Sequence, residues 1–177
     1  SLRALRHNVF LIPQAPVLFE DSIRANLDPL GVCDEARLWK VLEQTRMAEA
    51  VRKLPDGLET AVAAGGGNFS VGERQLLCIG RALIAEVGIL LLDEATASID
   101  AESDAVMQSM LRDHFAVSGC TVFTIAHRLN TLDDSDYVLV MDQGTVGEFG
   151  PPAELKARKN GLYRGLLDEW AAQKKNA

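Results

Sequence analysis

Several features that assign a chain to a class are scarce in these 177 residues. Cysteine occurs three times, at Cys33, Cys78 and Cys120, which argues against a disulfide scaffold or a paired-cysteine metal site and favours a reducing compartment. No apolar run approaches the ~18 residues that cross a bilayer, and the first residues lack the apolar segment of a cleavable signal. We therefore expect neither a small secreted fold nor a membrane-spanning segment in this sequence.

Basic charge is also scarce. The 18 Lys and Arg residues are outnumbered by 25 Asp and Glu residues, for a net charge of −7. This balance argues against a protein that coats nucleic acid or an anionic membrane surface, because both depend on clustered Lys and Arg. The sequence does have 47% hydrophobic and 24% charged residues, which is typical of one globular domain.

Short apolar runs alternate with longer stretches of helical periodicity, which predicts an α/β fold without internal repeats. Strands are expected at Val9–Ile12, Ile89–Leu92 and Thr121–Ile125. The middle run has no polar alternation, so we expect a central strand covered on both faces. A hairpin is predicted over residues 137–149, followed by two C-terminal helices at about 153–158 and 162–170.

Three polar residues mark the starts of predicted helices. Asp34 precedes an apolar face of Leu38, Val41 and Leu42, and Asp100 precedes a helix over about 101–115. The spacing from Ser70 to a glutamate three residues later is typical of a capping box.

Two adjacent acids, Asp93 and Glu94, come directly after the predicted central strand. Ligands bind outside the carboxyl ends of strands in open α/β sheets, so these carboxylates are expected in a crevice. One could hold Mg²⁺ while the other faces a reacting water, as phosphoryl transfer requires. The alternative is that both acids cap the next segment and are merely solvated.

Three further positions are weaker candidates when each is taken alone. The helix start at Ser70 and Gly72 could bind an anion through unpaired backbone N–H groups. Gln14 follows the first strand between two prolines, and His127 follows the third, where an imidazole could contact a phosphate oxygen. An ordinary helix cap, a turn residue and a structural histidine are the respective alternatives.

Along the chain, Gln14 comes first, followed by the helix start at Ser70, the acids Asp93 and Glu94, and then His127. Motifs in this order resemble those of the ATP-binding cassette (ABC) ATPase domain. The amino-acid sequence at three further places is similar to that of the second nucleotide-binding domain of multidrug-resistance-associated (subfamily C) exporters. The family motifs are Ile12-Pro13-Gln14, Phe69 to Gln75, Ile89 to Glu94, Ala97 to Asp100 and Thr124 to Arg128; the subfamily wording is Pro16 to Phe19, Asn26 to Pro29 and Ala126 to Thr131.

The resemblance implies that residues 1–177 are the C-terminal portion of one nucleotide-binding domain. It implies a partial P-loop NTPase fold, with a mostly parallel sheet flanked by helices and a C-terminal hairpin. A helical signature subdomain would occupy about 20–85, and the ATPase core with the C-terminal helices would occupy 1–19 and 86–177.

The resemblance also implies a role for each motif residue, with ATP and Mg²⁺ as cofactors. A second nucleotide-binding domain would complete a head-to-tail ATP sandwich, and transmembrane domains would be coupled to it. The implied roles are Mg²⁺ binding for Gln14 and Asp93, orientation or deprotonation of the attacking water for Glu94, contact with the γ-phosphate for His127, contact with ATP on the partner domain for Ser70, Val71, Gly72 and Glu73, and the dimer interface for Asp100.

The sequence departs from the family pattern in two places. No G-x-x-x-x-G-K-[ST] occurs, and the dipeptide Gly-Lys is absent, so the Walker A loop that cradles phosphates is missing. Phe69 and Glu73 replace the usual leucine and glutamine, and Glu73 adds negative charge near the expected phosphate. We expect the isolated chain to bind ATP weakly, to lack appreciable ATPase activity, and to self-associate through exposed core surface.

Three functions are compatible with these motifs. The first is the ATP-hydrolysing domain of an exporter, on the cytosolic face of a membrane. The second is a soluble ABC-type ATPase that acts on nucleic acid or ribosomes, and the third is a non-catalytic regulatory module. The sequence from Asn26 to Pro29 favours the exporter. Glu94 favours ATP hydrolysis, because degenerate sites of this family often have another residue at that position.

Overall fold

The computed structural model describes residues 8–95, 100–126 and 129–175. The chain forms two compact units, one ending at Ile125 and one beginning at Ala126. In the described ranges, none of the helices combines the length and the apolar character needed to cross a bilayer. The predicted division into a helical subdomain at about 20–85 and a core stays a prediction.

The first unit is built on a three-stranded parallel sheet. Its strands are β1 (Val9–Ile12), β2 (Ile89–Asp93) and β3 (Thr121–Ile125), in the order β1-β2-β3. All three predicted strands are confirmed, and the central strand is one residue longer than expected. Since the strands are parallel, their carboxyl ends meet at one edge of the sheet.

The two faces of this sheet differ in burial. Leu90 and Leu92 are buried under helices, as expected for a central strand. On the other face, Leu91 is half-buried between its register partners Leu11 and Phe123, which are 56% and 60% exposed. The expectation of cover on both faces is therefore wrong for the described residues. An apolar run shows that side chains suit burial, but it does not supply the second layer.

Four α-helices lie between β1 and β2 along the chain. Together with the sheet face that carries Leu90 and Leu92, they form one buried core, which includes Ile12, Leu42 and Leu77. The helices are α1 (Ile23–Leu27), α2 (Glu35–Gln44), α3 (Ala48–Arg52) and α4 (Val71–Ala85), with 3-10 turns at Gly57–Glu59 and Ala64–Gly66.

Helix α2 begins as the sequence predicts. The Asp34 carboxylate accepts a hydrogen bond from the Arg37 N–H at 2.8 Å. The predicted apolar face of Leu38, Val41 and Leu42 is buried. Local capping and helical periodicity thus agree with the tertiary packing.

One helical stretch links β2 to β3. Helix α5 (Ala101–Met110) has Asp100 as its N-cap and continues into a π-helical segment, Leu111–Ala116. The predicted helix over about 101–115 is confirmed in extent, although its last part has the wider π geometry.

The second unit contains an antiparallel hairpin and two helices. Strands β4 (Val138–Asp142) and β5 (Thr145–Gly150) confirm the predicted hairpin. Both turn residues between them, Gln143 and Gly144, have positive φ, as a two-residue hairpin turn of type I′ requires. Helices α6 (Pro152–Ala157) and α7 (Leu162–Lys175) complete the unit, with α7 running five residues beyond the predicted end. Tyr163 and Leu155 are buried against β4 in its core.

Candidate functional site

Gln14 and Glu94 meet at the carboxyl edge of the parallel sheet. Gln14 lies two residues after β1, where Pro13 ends the strand because it cannot donate a ladder hydrogen bond. Glu94 directly follows β2. The Gln14 Nε2 atom donates a hydrogen bond of 3.0 Å to the Glu94 Oε2 atom, across 80 residues of sequence. Two residues chosen from separate motifs are thus in direct contact.

The backbone at Glu94 has a left-handed conformation. Its φ is +46°, which is uncommon for a residue with a side chain and costs on the order of 1–3 kcal/mol. The Glu94 N–H donates to the Ile125 carbonyl at 3.1 Å, so the chain stays bonded to the end of β3 while it turns. This turn directs the carboxylate toward Gln14.

Asp93 is the last residue of β2 and is paired in register with Ile125. Its carboxylate is exposed, whereas Glu94 is half-buried. Adjacent positions at the strand end therefore give the two carboxylates different surroundings. The exposed Asp93 carboxylate can bind a cation, and the partly enclosed Glu94 carboxylate can hold a water molecule.

The residues at this edge are compatible with Mg²⁺. Among the described residues, no group of three His, Cys, Asp or Glu side chains could hold a metal ion by itself. Mg²⁺ commonly takes one or two carboxylates and completes its coordination with phosphate oxygens and water. Asp93 and Gln14 lie at the carboxyl ends of paired strands and carry oxygen atoms of the kind that such a partial set requires.

The N-terminus of α4 has the predicted capping box. Ser70 Oγ accepts from the Glu73 N–H at 3.2 Å, and Glu73 Oε2 accepts from the Ser70 N–H at 2.8 Å. These two bonds leave the N–H groups of Val71 and Gly72 without an acceptor inside the helix. They are the donors that an anion at this helix end would meet.

Gly72 is buried beneath the start of α5. A Cβ atom at Gly72 would lie 2.7 Å from Asp100 Oδ2, 2.9 Å from Ser103 Cβ, and closer still to Ser103 Oγ. The absence of a side chain at Gly72 is therefore required by packing within this chain. Close approach of a phosphate to Gly72 stays a prediction.

Asp100 caps α5 and lies against Gly72. Its carboxylate accepts hydrogen bonds of 2.8 Å from both the backbone N–H and the hydroxyl of Ser103. These bonds favour the charged form and hold the pKa of Asp100 below its ordinary value. The predicted role of Asp100 at a dimer interface stays a prediction, as do the nucleotide contacts of Ser70, Val71 and Glu73.

His127 lies outside the described residues, as do positions 97–99 of the motif that ends at Asp100. The third strand ends at Ile125, so the expected histidine follows the strand that pairs with Asp93. Its contact with a phosphate stays a prediction from the sequence.

Three polar residues that have no predicted role hold the segment after β1: Asn26 and Gln75 are buried, and Arg81 is half-buried. Gln75 bonds to the backbone at Pro13 and Gln14, and Arg81 donates to the Val17 carbonyl at 2.7 Å. Asn26, which is fully buried, receives a further bond from Arg81. Burial lowers the pKa of the Arg81 guanidinium. A polar residue on the apolar face of a predicted helix was the signal that could have identified Gln75.

Comparison with known proteins decides the family. A family model described as "ABC transporter" matches residues 1–97. This chain belongs to the ABC transporter family. Similar curated ABC proteins include ABC transporter C family member 12 of Dictyostelium discoideum, which is 45% identical over 98% of the chain. Probable multidrug resistance-associated protein lethal(2)03659 of Drosophila melanogaster is 48% identical over 96% of the chain.

The match to ABC exporters extends to structure. A bacterial Atm1-family ABC exporter, solved with ATP bound, matches 97% of the chain with a TM-score of 0.85 and 34% identity. The expected α/β fold of an ABC ATPase is thereby confirmed. The chain spans 13% and 12% of the length of the two curated relatives, and 30% of the solved exporter chain.

Proposed function

We propose that this chain is the C-terminal part of a nucleotide-binding domain in a subfamily C exporter, which binds and hydrolyses ATP to drive transport. The observation that carries this proposal is the hydrogen bond between Gln14 and Glu94, because it joins two motif residues at the carboxyl edge of the sheet. The relatives named as C family transporters support the choice of subfamily.

In this proposal, each residue at the sheet edge has a separate role in ATP hydrolysis. Glu94 holds and deprotonates the attacking water, since its carboxylate is half-enclosed and fixed by Gln14. Asp93 and Gln14 provide oxygen ligands for Mg²⁺, which offsets charge on the phosphate oxygens when it is bound. His127 supplies a further contact to the γ-phosphate.

The N-terminus of α4 serves a second nucleotide. The Val71 and Gly72 N–H groups, with the Ser70 hydroxyl, face ATP held by a second nucleotide-binding domain. Asp100 lies beside Gly72 and belongs to the same interface. Transmembrane domains of the exporter receive the resulting motion, and the nucleotide-binding domains lie on the cytosolic face of the membrane.

The direct test is Mg-ATP hydrolysis by the full-length protein. We expect inorganic phosphate release that stops when excess EDTA removes Mg²⁺ and returns when Mg²⁺ is added back, because Asp93 and Gln14 cannot offset phosphate charge themselves. Hydrolysis that persists in EDTA would contradict the assignment of Mg²⁺. A full-length protein that releases no phosphate at saturating ATP would contradict the proposed activity and favour a regulatory module.

The 177-residue chain alone should not bind ATP with micromolar affinity. Its sequence contains no Gly-Lys dipeptide, so the lysine and the phosphate-cradling amides of a Walker A loop are absent from it. Titration calorimetry of the isolated chain with Mg-ATP checks this, with the full-length protein as the positive control. A micromolar dissociation constant for the isolated chain would show that its own residues suffice.

A further inference from the structure

Gln75 connects helix α4 to the turn that carries Gln14. It lies in the second turn of α4 and is 0% exposed. Its Nε2 atom donates to the carbonyl oxygens of Pro13 at 3.2 Å and Gln14 at 3.1 Å. One acceptor is the backbone carbonyl of Gln14, the residue that contacts Glu94, and the other is the carbonyl of the residue before it.

The same face of α4 continues this attachment. Cys78 Sγ and Arg81 both lie within hydrogen-bonding distance of the Val17 carbonyl, at 3.8 Å and 2.7 Å. These positions follow Gln75 at spacings of three, so they form one row along the helix. Gln75 is the member of the row nearest the Gln14 side chain and the α4 N-terminus.

The Gln75 side chain is unusual for a residue that serves packing alone. Its Oε1 atom is buried and has no hydrogen-bond partner among the residues that the structure describes. The two carbonyl acceptors fix the orientation of the amide, because only its NH₂ group can face them. An apolar side chain of similar size would avoid the unpaired oxygen. The two hydrogen bonds that Gln75 donates are therefore its advantage over an apolar residue at this position.

We propose that Gln75 is a positioning residue that fixes the Gln14 turn to α4, so that Gln14 stays aligned with Glu94. This inference rests on the proposed ATP hydrolysis.

The kinetic test uses the full-length protein with Gln75→Leu, which removes both donors at similar size. We expect kcat for Mg-ATP hydrolysis to fall about tenfold while KM changes less than about threefold, because Gln14 loses its alignment without loss of the phosphate-binding groups. The matched control is Gln44→Leu, since the half-buried amide of Gln44 contacts His114 in the same unit. Wild-type kcat in Gln75→Leu, or an equal fall in Gln44→Leu, would overturn the proposal.

A double-mutant cycle separates positioning from general damage. In a Gln14→Ala background, Gln75→Leu should change kcat less than about twofold, because the side chain on which Gln75 acts is already gone. The unfolding temperature should fall only modestly in Gln75→Leu, since removal of the unpaired Oε1 offsets part of the cost of leaving the Pro13 and Gln14 carbonyls without their donor. A full tenfold fall in the Gln14→Ala background would overturn the positioning role.

Hydrogen exchange gives a readout that does not depend on activity. Amides in residues 14–22 should exchange several-fold faster in Gln75→Leu and at the wild-type rate in Gln44→Leu. Unchanged exchange in this segment would overturn the proposal even if ATP hydrolysis were absent. A wild-type protein that hydrolyses ATP, beside a Gln75→Leu protein with the same kcat, would leave the proposed function intact and contradict this inference alone.

Discussion

Replacing Glu94 with glutamine should lower kcat for ATP hydrolysis by the full-length protein about 100- to 10,000-fold, the range expected for loss of a general base. The amide oxygen of the new side chain can still accept the hydrogen bond from Gln14, so the local geometry is kept. Nucleotide binding should persist because the role proposed for the carboxylate is to act on water rather than on the nucleotide. Steady-state phosphate release and equilibrium ATP binding, measured together, check both parts.

Glu73→Gln is the matched control for this substitution. The new amide oxygen can still accept the bond that Ser70 N–H now donates to Glu73 Oε2. Removal of the carboxylate charge also lowers repulsion of a phosphate at the α4 N-terminus. We expect at least wild-type hydrolysis, so an equal loss in both variants would show that the Glu94 effect is not specific.

Gly72→Ala should destabilise the first unit by about 1–3 kcal/mol, the usual cost of overpacking. The new methyl group would meet Asp100 and Ser103, whose mutual hydrogen bonds hold the start of α5 in place. The Val71 and Gly72 N–H groups would shift with that collision, so ATP hydrolysis should fall together with stability. Denaturant unfolding and phosphate release by the full-length protein measure the two effects.

Gly67→Ala provides the matched control near the same helix. Gly67 has a φ of −60°, and a Cβ atom there would lie 3.5 Å from the Ala64 carbonyl, an ordinary contact. This variant should keep wild-type stability within about 0.5 kcal/mol, the usual range for surface substitutions. Adding Ser103→Ala to Gly72→Ala should recover part of the lost stability, and an absence of recovery would contradict the proposed collision.

Local sequence signals predict much of this fold because each has a short-range physical cause. The capping residues Asp34 and Ser70 bond to N–H groups three residues away, and both helix starts are as expected. The three strands follow from short apolar runs. The exposure of the sheet face with Leu11 and Phe123 was not predictable, because burial of that face depends on a second layer rather than on the strand sequences.

The candidate site could be predicted only in part. Gln14 and Glu94 each follow a strand and Asp93 ends one, so parallel topology brings all three to one edge once the strands are known. The contacts of Gln75 with the Gln14 turn cross about 60 residues, and no local pattern specifies such a partner. The packing of Gly72 against Asp100 is hidden for the same reason.

The left-handed backbone at Glu94 restricts which residues can occupy that position. Valine, isoleucine and threonine are poorly tolerated at positive φ because their branched Cβ crowds the backbone, whereas glycine, asparagine and aspartate adopt it more readily. A relative that has lost hydrolysis at this position is therefore expected to carry a small or short polar residue. Related domains that do not hydrolyse ATP should therefore be recognisable by the residue that they have at the position of Glu94.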